Sequence, residues 1–148
     1  MKNPEEVVLA VVNSVLELSN EGKQAKAQHI LPFVYQSVME YPHILWNNVE
    51  VWKVAKALLV MHHYDMIDEE EDELRMIQIA FVLCQRAIEL CEKDLENNRE
   101  HYFNALHTQT MLLTSCSDYF ADTIAELCSK TVLSEEERAV ALRLANRI

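Results

Sequence analysis

The chain has 148 residues, half of them apolar and a quarter charged, which suits one ordinary domain with a real core. One glycine and three prolines are too few for phosphate-cradling loops or dinucleotide fingerprints, and too few for the tight turns of a sheet-rich fold, so the composition points to an all-α protein. The net charge of −11, from 13 basic and 24 acidic residues, repels phosphate backbones, and with no basic stripe in the chain no nucleic-acid partner is expected.

In chain order, four sites carry an asparagine or serine followed three residues later by glutamate, just ahead of an amphipathic pattern: Asn3/Glu6, Asn47/Glu50, Asn97/Glu100 and Ser134/Glu137. In such capping boxes the first side chain accepts from a free backbone N–H and the second reaches back to another. The first helix is expected from Pro4 to about Ser19, with Val8, Val11, Val12 and Val15 at helical spacing. Pro4 at the first helical position loses no hydrogen bond, and Gly22 lies just past the end as a terminator. A second helix is expected over about 23–40, with a kink or break near 29–31 ahead of Pro32 and a stop at Pro42. A third opens at Asn48 with Val51, Trp52, Ala55, Leu58, Leu59 and His62 on one face, and ends near Tyr64.

Seven acids fall between Asp65 and Glu73. They are placed at the start of the next helix, where the dipole favours carboxylates. That helix, about 70–95, has a seam of Ile77, Ala80, Phe81, Cys84, Ala87, Ile88, Cys91 and Leu95, widened by Met76, Ile79, Leu83 and Leu90. A fifth opens at Asn98 with Tyr102, Ala105, Leu106, Leu112, Leu113 and Cys116 as its buried stripe. Two more follow, one with Phe120, Ile124, Leu127 and Cys128, and one from Glu135 with Val140, Ala141, Leu144 and Ile148. The last is still amphipathic at Ile148, so the reading leans to a fragment of a longer protein.

Glu5 and Glu6 stand where a secretory signal would carry basic residues, and no run approaches the 18 apolar residues of a membrane span. Cys84 and Cys91 are seven apart on one helix face, about 10 Å along the axis and too far for a disulfide. All four cysteines, Cys84, Cys91, Cys116 and Cys128, lie in apolar helical stretches and read as buried thiols of a reducing compartment. A cytoplasmic protein without a membrane partner is expected.

The segment 89–93, Glu-Leu-Cys-Glu-Lys, recurs as Glu-Leu-Cys-Ser-Lys at 126–130, and the Asn97 and Ser134 helix starts have the same offset of 37. Such an internal repeat divides a single domain into helical pairs over about 3–44, 47–96 and 97–133, with a partial unit 134–148. About seven helices in stacked antiparallel hairpins result; a closed helical bundle is the alternative. The stretch Ala87-Ile88-Glu89-Leu90, followed by Asn97-Asn98 and a new amphipathic helix, resembles the join between tetratricopeptide repeats. The resemblance spans about 45–148, although the units are longer and less even than that family's 34 residues. It implies a right-handed superhelix without chemistry of its own, binding a protein or peptide partner on a concave face lined by the first helix of each pair.

On those first helices, the faces opposite the core carry Asn13 and Glu17, then Lys53, Lys56 and His63, then Asn104, His107, Thr108 and Met111. Lys53 and Lys56 are a basic pair central in an acidic chain, able to hold a partner's carboxylates. Trp46, in the segment Tyr41-Pro42-His43-Ile44-Leu45-Trp46, is either a linker side chain pinned to the core or an exposed anchor for a partner. The Val-rich first helix is alternatively the seam of a homodimer.

Metal or small-ligand chemistry would draw on His62, His63 or His107. Adjacent histidines on a helix point about 100° apart, Asp65 would join His62 from i+3 only where the helix is ending, and Pro42 breaks the Glu40-x-x-His43 tetrad. The acidic run has no glycine for a calcium loop. No nucleophile motif is present, and a pairing of Cys116 with His107 has no local support. The expectation is a non-enzymatic interaction module with no cofactor.

Overall fold

A computed structural model describes residues 3–116. These form α1 (Pro4–Asn20), α2 (Gln24–Glu40), a single 3-10 turn (Val49–Val51) running directly into α3 (Trp52–His63), α4 (Glu70–Glu92) and α5 (Leu95–Ser115), with no strand among the described residues. The all-α class expected from glycine scarcity and periodicity is present. The helices expected after Cys116, the Ser134/Glu137 cap, Cys128 and the unit 134–148 lie outside the described residues. The chain divides into two compact units, Met1–Gln109 and Thr110–Ile148.

Local chemistry shapes α1 as the sequence implies. Asn3 Oδ1 accepts the Glu6 N–H at 2.8 Å, and Pro4 sits in the first turn. At the other end Gly22 adopts φ +75°, its N–H donating to the Ser19 carbonyl at 3.1 Å and the Lys23 N–H to the Leu18 carbonyl at 2.9 Å. This paired termination needs a left-handed residue, and glycine takes that conformation without a Cβ penalty. A Cβ on Gly22 would meet nothing within 4 Å, so backbone conformation rather than space selects the residue.

Of the kink or break expected ahead of Pro32, the break does not occur: α2 runs from Gln24 to Glu40 with Pro32 inside it. An interior proline costs about 3 kcal/mol, but Ala27 and Leu31 before it and Val34 and Val38 after it are all fully buried on one face. Burying that face on both sides of an outward-pointing Pro32 outweighs the lost hydrogen bond. α2 then stops at Tyr41, whose φ of −132° and ψ of 77° lie outside the helical region that a following proline disfavours.

The connection to α3 is fastened inward by Ile44 and Leu45, both buried. Leu45 has φ +58°, a left-handed conformation that costs a branched side chain about 1–2 kcal/mol. The expected cap shifts by one residue. Asn48, not Asn47, accepts the Glu50 N–H, at 2.8 Å, and the first turn is 3-10. Asn47 has a long-range partner instead, Arg86 of α4.

Helix α3 packs against α1, α2, α4 and the 3-10 turn. Val51, Trp52, Ala55, Leu58 and Leu59 are buried as their spacing predicts, but so are Val54, Ala57 and Met61 on the other side. α4 carries Glu70, Glu71, Asp72 and Glu73 in its first turn. It buries its expected seam through Cys91, together with Met76 and Leu83, but it ends at Glu92, and Leu95 is exposed at the start of α5.

The Asn97/Glu100 box is not formed. The Asn97 amide donates to the Asp94 carboxylate at 2.9 Å, and the Asn98 amide to the Asp94 carbonyl at 3.0 Å. Asn98 departs from helical geometry at φ −123°, so α5 starts at Leu95 and bends there. Because α5 is already helical from Leu95, Asn97 does not stand at a helix start, and its side-chain amide is held by Asp94 three residues before it. The buried stripe of α5 also differs from expectation: Thr108 and Gln109 are buried while Tyr102 and Leu106 are only half so; Ala105, Leu112, Leu113 and Cys116 are buried as expected. Cys84, Cys91 and Cys116 are buried. No helix among the described residues is long and apolar enough to cross a membrane.

Candidate functional site

Because α3 is buried nearly all round, its outward surface narrows to Lys53, Lys56, Val60, His62 and His63, of which only His63 is fully exposed. The two lysines flank Trp52, their ammonium groups 5.9 Å and 6.0 Å from its ring centroid. That distance adds a cation–π attraction of about 0.5–1 kcal/mol each. The indole itself is buried and donates its Nε1–H to Nδ1 of His101 on α5 at 3.2 Å. An accepting Nδ1 leaves the ring proton of neutral His101 on Nε2. Lys53 also pairs with Glu50 at 2.6 Å; Lys56 is paired with no carboxylate among the described residues. The result is a half-buried cationic patch supported from below by an aromatic ring and continued on α5 by an imidazole. His101 was not anticipated. Nothing in its local sequence distinguishes it, since its partner lies 49 residues away.

Other expected residues are distributed differently. Thr108 is 1% exposed, and its hydroxyl donates to the Asn104 carbonyl at 2.8 Å, so it faces no partner. This corrects the expectation that it lies on the outward face of α5; its methyl group packs inward while its hydroxyl is satisfied within the helix. Asn104 is half-buried and His107 exposed on α5. Met111, half-buried, belongs to the second unit.

Trp46 is half-buried and held from three directions. The Arg86 guanidinium lies 5.0 Å over its ring, Arg86 Nε donates to its carbonyl at 2.8 Å, and His43 meets its ring edge-on at 4.7 Å. Arg86 Nη2 also donates to Asn47 Oδ1 at 3.1 Å. Of the two readings of Trp46, the structure favours the pinned linker: its aromatic face is occupied by the protein's own arginine. Arg86 was missed because a helical arginine between apolar seam residues looks like an ordinary surface charge.

The histidine pair is similarly resolved. His62 Nδ1 and Glu73 Oε1 are 2.5 Å apart, joining the end of α3 to the first turn of α4. Tyr64 Oη lies 3.2 Å from Ser19 Oγ, tying the same corner to α1. The rings of His62 and His63 are 5.9 Å apart and tilted. Among the described residues, no group of three or more His, Cys, Asp or Glu side chains could hold a metal ion.

Between α4 and α5, Gln109 Nε2 donates to Gln85 Oε1 at 3.2 Å inside the core. Burial pushes the Cys91 thiol up from its ordinary value, with the charge of Glu92 adding to the effect, and burial also raises Tyr35, assisted by Asp72 and opposed by Arg75. Neither group has the lowered pKa of an activated nucleophile. On α1, Val8, Val12 and Val15 face inward, and the exposed positions Glu6, Ala10, Asn13, Ser14 and Glu17 are mainly polar. Comparison of the chain with protein-family models, with curated proteins and with solved structures finds no match.

Proposed function

We propose that this protein is a non-enzymatic interaction module of helical-hairpin repeat type, binding an acidic segment of a protein partner across α3 and α5. One observation carries the reading: the stripe left outward on a helix otherwise packed against α1, α2 and α4 is cationic, although the chain as a whole carries −11. A stack of hairpins in the manner of tetratricopeptide repeats would leave such stripes side by side. Lys56 supplies an uncommitted ammonium, Lys53 one shared with Glu50, and the Trp52–His101 pair a rigid floor that holds the lysine stems in place. Half-buried cations over an aromatic surface attract carboxylates more strongly than freely solvated lysines do, because less water screens them.

The test is titration of the full chain with an acetylated acidic peptide and with its glutamine counterpart, read by calorimetry. The acidic peptide should bind saturably, more weakly as salt rises. Lys53→Gln combined with Lys56→Gln should weaken it by on the order of tenfold, with an unchanged circular dichroism spectrum. Equal binding of both peptides, or no effect of the double substitution, overturns the proposal.

A further inference from the structure

A second recess lies away from the lysine stripe, where the start of α1 meets the α2–α3 connection. Its walls are Pro4, Glu5, Glu40, Tyr41, Pro42, His43 and Ile44, and its volume is about 630 Å³, within the range of small-ligand sites. Two prolines, Ile44 and the Tyr41 ring make it mainly apolar. Tyr41 is 66% exposed, the most exposed of the large hydrophobic side chains among the described residues.

Among the described residues its charge is one-sided. Glu5 and Glu40 flank it, and neither is paired with a cationic side chain among the described residues; Glu40 accepts only a 3.4 Å bond from Gln36. The C-terminal end of α2 opens here, and its last turn carries no basic residue to meet the negative end of the helix dipole. The positive end of α1 acts in the opposite sense, and Glu5 in its first turn offsets it. The walls are also held in shape: Ile44 and Leu45 are buried, and His43 rests on the Trp46 ring that Arg86 clamps. A preformed site loses little entropy on filling.

We infer that this recess binds a lysine or arginine side chain from a basic segment of a protein partner, its apolar stem lying against Pro4, Pro42 and Ile44 and its cationic head between Glu5, Glu40 and the Tyr41 ring. The inference rests on the interaction-module reading but uses none of the residues on the lysine stripe. The occupant follows from the walls: an apolar stem matches the prolines and isoleucine, and a cationic head matches two carboxylates, a helix C-terminus and an aromatic face.

The experiment is an NMR titration of the isotope-labelled full chain with three probes: an acetylated, amidated Ala-Lys-Ala peptide, the same peptide with norleucine for lysine, and n-butylammonium. The lysine peptide should shift the amides of Glu5, Tyr41, His43 and Ile44 saturably, and more tightly than either other probe. Glu5→Gln with Glu40→Gln should weaken it on the order of tenfold, and Tyr41→Ala by several-fold. Equal binding of the norleucine peptide would show an apolar site only, equal binding of n-butylammonium would exclude a peptide-borne side chain, and shifts confined to the 65–73 acidic run would show unspecific charge attraction; each overturns the inference. Failure of the acidic peptide to bind the unsubstituted chain, with these shifts retained, would sink the proposed acidic-partner surface alone.

Discussion

The α1–α2 hairpin and the α3–α4 pair reach similar packing by different means. α1 and α2 are joined by three residues, with an asparagine cap at one end and a glycine termination at the turn. Each buries a single face, and the instructions are local. α3 and α4 are joined by six residues, begin without side-chain caps of their own and are held by long-range polar contacts: His62 with Glu73, Arg86 with Trp46 and Asn47, and Tyr64 with Ser19. A hairpin with strong local signals needs few distant contacts to define it. A helix buried on several sides has no free face to signal its neighbours, so specific polar pairs set where it sits.

That contrast can be broken most forcefully in the core. Leu58→Ala on α3 should cost about 3–5 kcal/mol and Leu31→Ala on α2 about 2–3 kcal/mol, because α3 is wedged among several helices and relaxes around a cavity less freely than α2, which buries a single face. Urea unfolding of both variants checks the order, and equal losses would remove the distinction. Arg86→Ala should cost about 2 kcal/mol through two lost charge-assisted bonds and an unpartnered Trp46 carbonyl. It should also change tryptophan fluorescence, and Arg86→Lys should restore neither, since an ammonium cannot match the fork.

On the first hairpin the effects are smaller and confined to the helix ends. Gly22→Ala should destabilise by about 1 kcal/mol from backbone strain alone, and Asn3→Ala by about 1 kcal/mol from the lost cap. Hydrogen exchange should show added fraying of α1 in both, with α4 amides unaffected. The smallest effect concerns Cys91. With its pKa raised by burial, the folded form retains the thiol proton to higher pH than the unfolded chain. The stabilisation is therefore present below the unfolded thiol pKa and fades as pH rises through the folded one. Alkylation by iodoacetamide at pH 8 should be slow in native protein and fast in urea; rapid native labelling of Cys91 would contradict its burial.

Legibility followed the range of the interactions. The Asn3 cap, the Gly22 termination and the buried seam from Ile77 to Cys91 were readable because each depends on residues within one or two turns. Capping at 47 was misplaced because Arg86, 39 residues away, takes the Asn47 oxygen, and at 97 because α5 is already helical from Leu95. The helix passes Pro32 without a break because the burial on both sides of it, which is not visible in sequence, outweighs the local penalty, which is. Thr108 and Gln109 were read as outward or left unread because polar residues in a core announce themselves only once their partners are known; for Gln109 that partner is Gln85 on another helix.

Composition and periodicity alone determined that this chain is helical, where its first helix begins and ends, and which residues of α4 turn inward, because glycine scarcity, capping and 3.6-residue spacing act along the chain. Tertiary structure decided that α3 is enclosed on nearly every side, that Trp46 is clamped rather than offered, and that Lys53 and Lys56 stand over a tryptophan braced by His101. Those outcomes depend on groups some 40 to 50 residues apart coming into contact, and such contacts leave no periodic trace in the sequence.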